Sequence, residues 1–144
     1  MSERSILLVE DNPGDVRLTR EALREADVAV ALTDLPDGEQ ALEYLRRAGT
    51  PDGAPRPDLI LLDLNLPKRN GLEVLEEIKS DPALASTPVM MLTTSASARD
   101  VAGAYARGVN GYVVKPLDLD AFTALVQAIN TFWFEVARLP PAAV

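Results

Sequence analysis

At 144 residues and 47% apolar content, the chain has the length of one domain and enough apolar side chain to build a core. It contains neither cysteine nor histidine, which removes disulfides, zinc–thiolate sites, thiol nucleophiles and imidazole base catalysis together. A formal net charge of -8 argues against a surface that neutralises nucleic-acid phosphates, so any chemistry falls to carboxylates, hydroxyls and lysine.

The N-terminus, Met1-Ser2-Glu3-Arg4, enters a strand after four residues, and no apolar run approaches the roughly 18 to 20 residues of a membrane span. A cytoplasmic protein is expected. Residues 5 to 10 read as strand one: Ile6-Leu7-Leu8-Val9 is apolar throughout, the pattern of a strand buried on both faces, and it ends in Glu10-Asp11. Asn12 then caps a helix with Pro13 at its first position, and Val16, Thr19, Leu23 and Ala26 form the inward stripe. Val28 to Leu35 is strand two. Asp37-Gly38 opens a helix carrying Ala41, Leu42, Leu45 and Ala48, and the run from Gly49 to Pro57 is too rich in Pro and Gly to be anything but a loop.

Strand three covers 58 to 63, with Leu59-Ile60-Leu61-Leu62 delivering Asp63 to the rim of the sheet. Gly71 precedes a helix with Leu72, Leu75 and Ile78 inward, and Pro88 introduces strand four, Val89 to Thr93. Helix four spans about 97 to 107, strand five is Gly111 to Val114, and a final helix runs from about 118 to 136. On that last helix Phe122, Leu125, Val126, Ile129 and Trp133 share one stripe, which makes Trp133 core rather than a ligand platform. Short buried strands alternating with helices imply an α/β fold, a doubly wound parallel sheet with right-handed crossovers.

In such sheets, sites form at the carboxyl ends of strands where the strand order reverses. The ends here read Glu10-Asp11, Asp63, Thr93 and Lys115, so acids, a hydroxyl and a lysine meet on one edge. At an effective dielectric near 20, two carboxylates about 4 Å apart repel by roughly 4 kcal/mol, so the cluster calls for a cation. All-oxygen ligands suit a hard one, and Mg²⁺ fits best. Read physically, this is a phosphoryl-acceptor site in which Asp63 attacks phosphorus while Thr93 and Lys115 bind phosphoryl oxygens. Blander readings exist for each residue alone: Asp11 as a helix N-terminal acid, Thr93 as a strand residue, Lys115 as a solvated strand end, Tyr112 as cover for strand five.

These features together resemble the receiver domain of two-component response regulators. The resemblance rests on Val9-Glu10-Asp11-Asn12, on Asp63-Leu64-Asn65-Leu66-Pro67 with Gly71 beyond it, on Leu92-Thr93, and on Lys115-Pro116, and it covers about residues 4 to 132. It implies a flavodoxin-like (βα)5 fold of strand order 2-1-3-4-5 and phosphorylation of Asp63 by a sensor histidine kinase. It further implies that Asp11, Asp63 and the backbone carbonyl of Asn65 ligate Mg²⁺, that Glu10 acts mainly through a metal water, that Thr93 with Tyr112 forms a conformational switch, and that the Lys115-Pro116 peptide is cis. Two features depart from the commonest pattern. Thr94 stands where family members often carry a smaller residue, which bears on phosphate lifetime, and the chain ends in an aromatic and proline-rich tail over residues 133 to 144.

That tail, with the Asp-Leu-Asn-Leu-Pro and Leu-Thr-Thr-Ser forms, is similar to small regulators that partner bacterial phytochrome kinases. No output domain is expected after the last helix, so output falls to a protein contact, and not to enzymatic turnover. Counted at 100° per residue, Phe134 lies about 120° off the inward stripe and Phe132 at its edge. With Leu139 they form an expected homodimer interface together with helix four, strand five and helix five. Two other classes compete. A metal-dependent phosphatase with an aspartyl-phosphate intermediate would want a second acid where Asn65 stands, and a phosphate-independent interaction module would normally lack one of the acid, threonine or lysine elements.

Overall fold

The structure is a computed structural model that describes residues 3–25 and 29–141. Ala26 and Val28, expected on the first helix and at the start of strand two, lie outside the described residues. The elements are β1 (Arg4–Val9), α1 (Pro13–Arg24), β2 (Val30–Leu35), α2 (Gly38–Arg47), β3 (Leu59–Leu62), α3 (Gly71–Ser80), β4 (Val89–Thr93), α4 (Ala98–Ala106), β5 (Gly111–Val114) and α5 (Leu119–Thr131). A single turn of π-helix, Phe132–Val136, closes the series.

The five strands form one parallel sheet in the order β2-β1-β3-β4-β5. Side chains alternate across it. Leu7, Val9, Ile60, Leu62 and Met91 face α2, α3 and α4, while Ile6, Leu8, Leu59 and Leu61 face α1 and α5. β3 is central in the sheet and helices cover both of its faces, so Leu59, Ile60, Leu61 and Leu62 are all at most 1% exposed. Burying each such side chain contributes about 1.5–3 kcal/mol, which is why an uninterrupted apolar run belongs there.

Helix entry is set locally. The Asn12 side chain accepts from the backbone N–H groups of Gly14 and Asp15 with Pro13 in the first turn, and Asn70 and Glu73 form a reciprocal capping box on α3. The register aligns the strand ends. Val9 pairs with Leu62 and Thr93 with Val114, so Glu10, Asp63 and Lys115 each emerge one residue past the last paired position. Asp63 N–H donates to Val9 O at 3.0 Å and Lys115 N–H to Thr93 O at 2.7 Å, extending the ladder to the rim.

Two expectations need correction. The described residues contain no cis peptide, so Lys115-Pro116 is trans, the isomer an X-Pro bond favours by about 0.5–1 kcal/mol. The last helix keeps α geometry only to Thr131. Its continuation closes an i to i+5 hydrogen bond, Ala137 N–H to Phe132 O, so each residue turns by less than 100° and the angular count fails there. Phe134 is therefore not the outward aromatic. It is half-buried against the α1/α5 core, with the Arg4 guanidinium 6.0 Å from its ring centroid. Phe132 faces out at 50% exposure and meets Trp133 edge to face at 5.1 Å. Trp133 packs against the same core, as its stripe position implied, and Leu139 is half-buried.

Candidate functional site

Strand order reverses between β1 and β3, and the crevice there gathers side chains from four loops. Glu10, Asp63 and Lys115 are buried and Asp11 is exposed. One carboxylate oxygen from each of Glu10, Asp11 and Asp63 lies within 4.8 Å of the others. The Lys115 ammonium donates to Glu10, to Asp63 Oδ2 at 3.2 Å and to Asp15 Oδ2 at 2.9 Å. Asn65 N–H donates to Asp63 Oδ1 at 3.3 Å, and Asn12 N–H donates to Glu10 Oε2 at 3.2 Å.

The electrostatics follow from this crowding. Two unit charges 4.8 Å apart repel by about 3 kcal/mol at an effective dielectric near 20, and one ammonium does not balance the acids around it. Burial pushes the Glu10 carboxyl up to about 7. Its bond from Lys115 opposes that rise and Asp63 reinforces it. At Lys115 burial acts downward, but the bonds to Glu10 and Asp15 outweigh it and hold the ammonium above its ordinary value. Both shifts cannot be met by moving one proton between the pair. Lys115 keeps its proton, and Glu10, buried beside Asp63 and only partly offset by the lysine, also holds a proton more tightly than a free glutamate, which leaves the pocket short of positive charge. A hard divalent cation on oxygen-only donors relieves that shortage, so the residues present fit Mg²⁺.

Thr93 sits at the same edge, fully buried, its hydroxyl accepting from Ser95 N–H at 3.4 Å, and it makes no hydrogen bond to the acids among the described residues. Tyr112 is half-buried on the α2/α3/α4 side, and its hydroxyl donates to Ser95 O at 2.9 Å. Thr94 is exposed. Asp15 is the residue that sequence reasoning missed. It stands in the first turn of α1, one turn beyond Asp11, and an acid there reads as ordinary helix-dipole chemistry until β5 brings Lys115 beside it. A cavity of about 700 Å³ between α2 and the 49–57 loop, bordered by Glu39, Arg46 and Lys68, includes none of the strand-end acids and is separate from this chemistry.

No helix of the described residues is long and apolar enough to cross a membrane. Residues 6–127 match the family described as the response regulator receiver domain. The chain is 46% identical over 137 residues to response regulator Rcp1 of Synechocystis sp., covering 95% of this chain and 93% of that protein. Its fold superposes with a TM-score of 0.92 on the crystal structure of the phosphorylated cyanobacterial phytochrome response regulator RcpA, at 46% identity over 97% of this chain and all of that one. The Mn²⁺-bound form of Rcp1 matches at a TM-score of 0.89 and 45% identity, covering 96% of this chain and 99% of that one. An acid cluster at a parallel-sheet switch point, a lysine bonded to it and a family match over most of the length agree, and the chain belongs to the response regulator receiver family.

Proposed function

We propose that Asp63 accepts a phosphoryl group from a sensor histidine kinase of the phytochrome type, and that the protein signals in the cytoplasm through a surface whose shape the phosphoryl group alters. The observation that carries this reading is the bond from Lys115 to Asp63 Oδ2 at 3.2 Å, at the open edge of the sheet and among oxygen donors suited to a divalent cation. In the transfer, an Asp63 oxygen forms a bond to phosphorus as the N–P bond to the kinase histidine breaks, and the imidazole leaves with the electron pair. Lys115 and the Thr93 hydroxyl bind phosphoryl oxygens, which supplies the positioning and charge neutralisation that phosphoryl transfer needs. Asp11, Asp63 and the Asn65 carbonyl would hold Mg²⁺, with Glu10 acting through a water, and the bound ion would supply the remaining positive charge.

The domain is read as a signalling component and not as an enzyme on external substrates, because Asn65 stands where a phosphatase of this mechanism would carry its general acid. Output is assigned to the α4-β5-α5 face and the tail, on which a second copy docks. Phe132 and Tyr105, 50% and 53% exposed, border a groove there with Tyr112, so the apolar patch adjoins the switch tyrosine. With Phe134 turned onto the core at the π-turn, Phe132 is the anchor of this homodimer. The test is co-incubation with an autophosphorylated phytochrome-type kinase. Label should leave the kinase for the wild-type protein and stay on the kinase with Asp63→Asn; equal transfer to both would overturn the assignment.

A further inference from the structure

We infer that Asp15 is a positioning residue for Lys115, holding the ammonium from the α1 side while the phosphoryl group arrives. This rests on the phosphoacceptor reading above.

An acid in the first turn of a helix is favoured by the dipole alone, and for that purpose its carboxylate can remain in solvent. The Asp15 side chain does not. It is only 25% exposed and reaches Lys115 Nζ at 2.9 Å, across 100 positions of sequence. Its oxygens are not among those that Glu10, Asp11 and Asp63 bring together, so its partner is the lysine. An ammonium has three N–H donors, and Glu10, Asp15 and Asp63 take one each.

Phosphorylation changes one of these three bonds. The donor aimed at Asp63 must turn to a phosphoryl oxygen, and a four-carbon stem offers many other places for the ammonium to go. Glu10 and Asp15 are the two contacts that persist through the transfer. Because they pull from different elements, the β1 end and α1, together they fix Nζ at the rim. With Glu10 alone, the ammonium settles onto that carboxylate, away from the incoming group and on the residue assigned to the metal water.

The experiment is labelling by acetyl phosphate at saturating Mg²⁺ in wild type, Asp15→Ala, Lys115→Ala and the double variant. Asp15→Ala should slow labelling about tenfold, while the same change in the Lys115→Ala background should cost less than about twofold, because the effect passes through the lysine. Asp15→Asn, which keeps an acceptor and the helix start, should fall between wild type and alanine, and carries the comparison if the alanine variant is unfolded in urea titration. An Asp15 variant labelled at the wild-type rate, or an equal loss in both lysine backgrounds, overturns the inference. The parent reading fails differently: wild-type protein labelled no more than Asp63→Asn would overturn that reading.

Discussion

Replacing Gly71 by alanine places a methyl group inside the backbone that presents the phosphoacceptor. An ideal Cβ at this position lies 2.2 Å from Asp63 O and 2.7 Å from Leu64 Cα, against about 3.5–4.0 Å for an ordinary nonbonded carbon contact. Neither neighbour is a side-chain tip that can swing away, and Gly71 N–H is itself bonded to Leu64 O at 2.8 Å. Either the chain after Asp63 or the start of α3 must therefore move by about 1 Å. Overpacking of this kind costs about 1–3 kcal/mol, and with only backbone to yield, the upper end is expected. The same displacement at Asp63 should slow labelling by acetyl phosphate on the order of 100-fold, although no reacting group is removed. Gly103→Ala is the control. Its Cβ meets only the side-chain atoms Arg107 Nη1 at 3.3 Å and Leu72 Cδ1 at 3.6 Å, inside α4, so it should add about 0.5–1 kcal/mol. Urea unfolding and labelling of the two variants side by side make the comparison. Wild-type stability in Gly71→Ala would refute the claim that close backbone approach holds Asp63 in place.

Glu10 makes stability depend on pH. Its carboxyl is pushed up from 4.5 to about 7, so the folded state keeps a proton that the unfolded chain releases, and metal-free stability should fall by up to about 3 kcal/mol as pH rises from 4.5 to 7. Saturating Mg²⁺ or Glu10→Gln should flatten that fall in urea titrations, and a pH-independent wild type in EDTA would contradict the electrostatic account. Thr93→Val should leave labelling of Asp63 largely intact while abolishing the accompanying amide-shift changes around Tyr112; undiminished changes would detach the hydroxyl from the switch. By sedimentation at micromolar concentration, Phe132→Ala should weaken the homodimer more than Phe134→Ala, and the reverse order would return the anchor to Phe134.

What could be read from the chain alone was whatever local chemistry controls. The run Leu59–Leu62 is apolar because both faces of β3 are covered, and the helices after Asn12 and Asp37 start where they do because those two side chains cap them. Glu10, Asp11, Asp63 and Lys115 were legible as a site because strand ends in a doubly wound sheet share one edge. Asp15 was not, since its role depends on a partner 100 positions away, and within its own helix it looks like dipole chemistry. The inward position of Phe134 was hidden for a related reason. A π-turn differs from an α-turn by one residue per hydrogen-bonded ring, a change that periodicity over five residues does not reveal.

In the proposed reaction one carboxylate, Asp63, carries the phosphoryl group. Treating the acetyl-phosphate-labelled protein with borohydride reduces an acyl phosphate to the corresponding alcohol, marking the phosphorylated residue for peptide sequencing by mass spectrometry. The mark is expected at Asp63 in the wild type and at no acid in Asp63→Asn. Recovery of the mark at Glu10, Asp11 or Asp15 in the wild type would contradict that assignment.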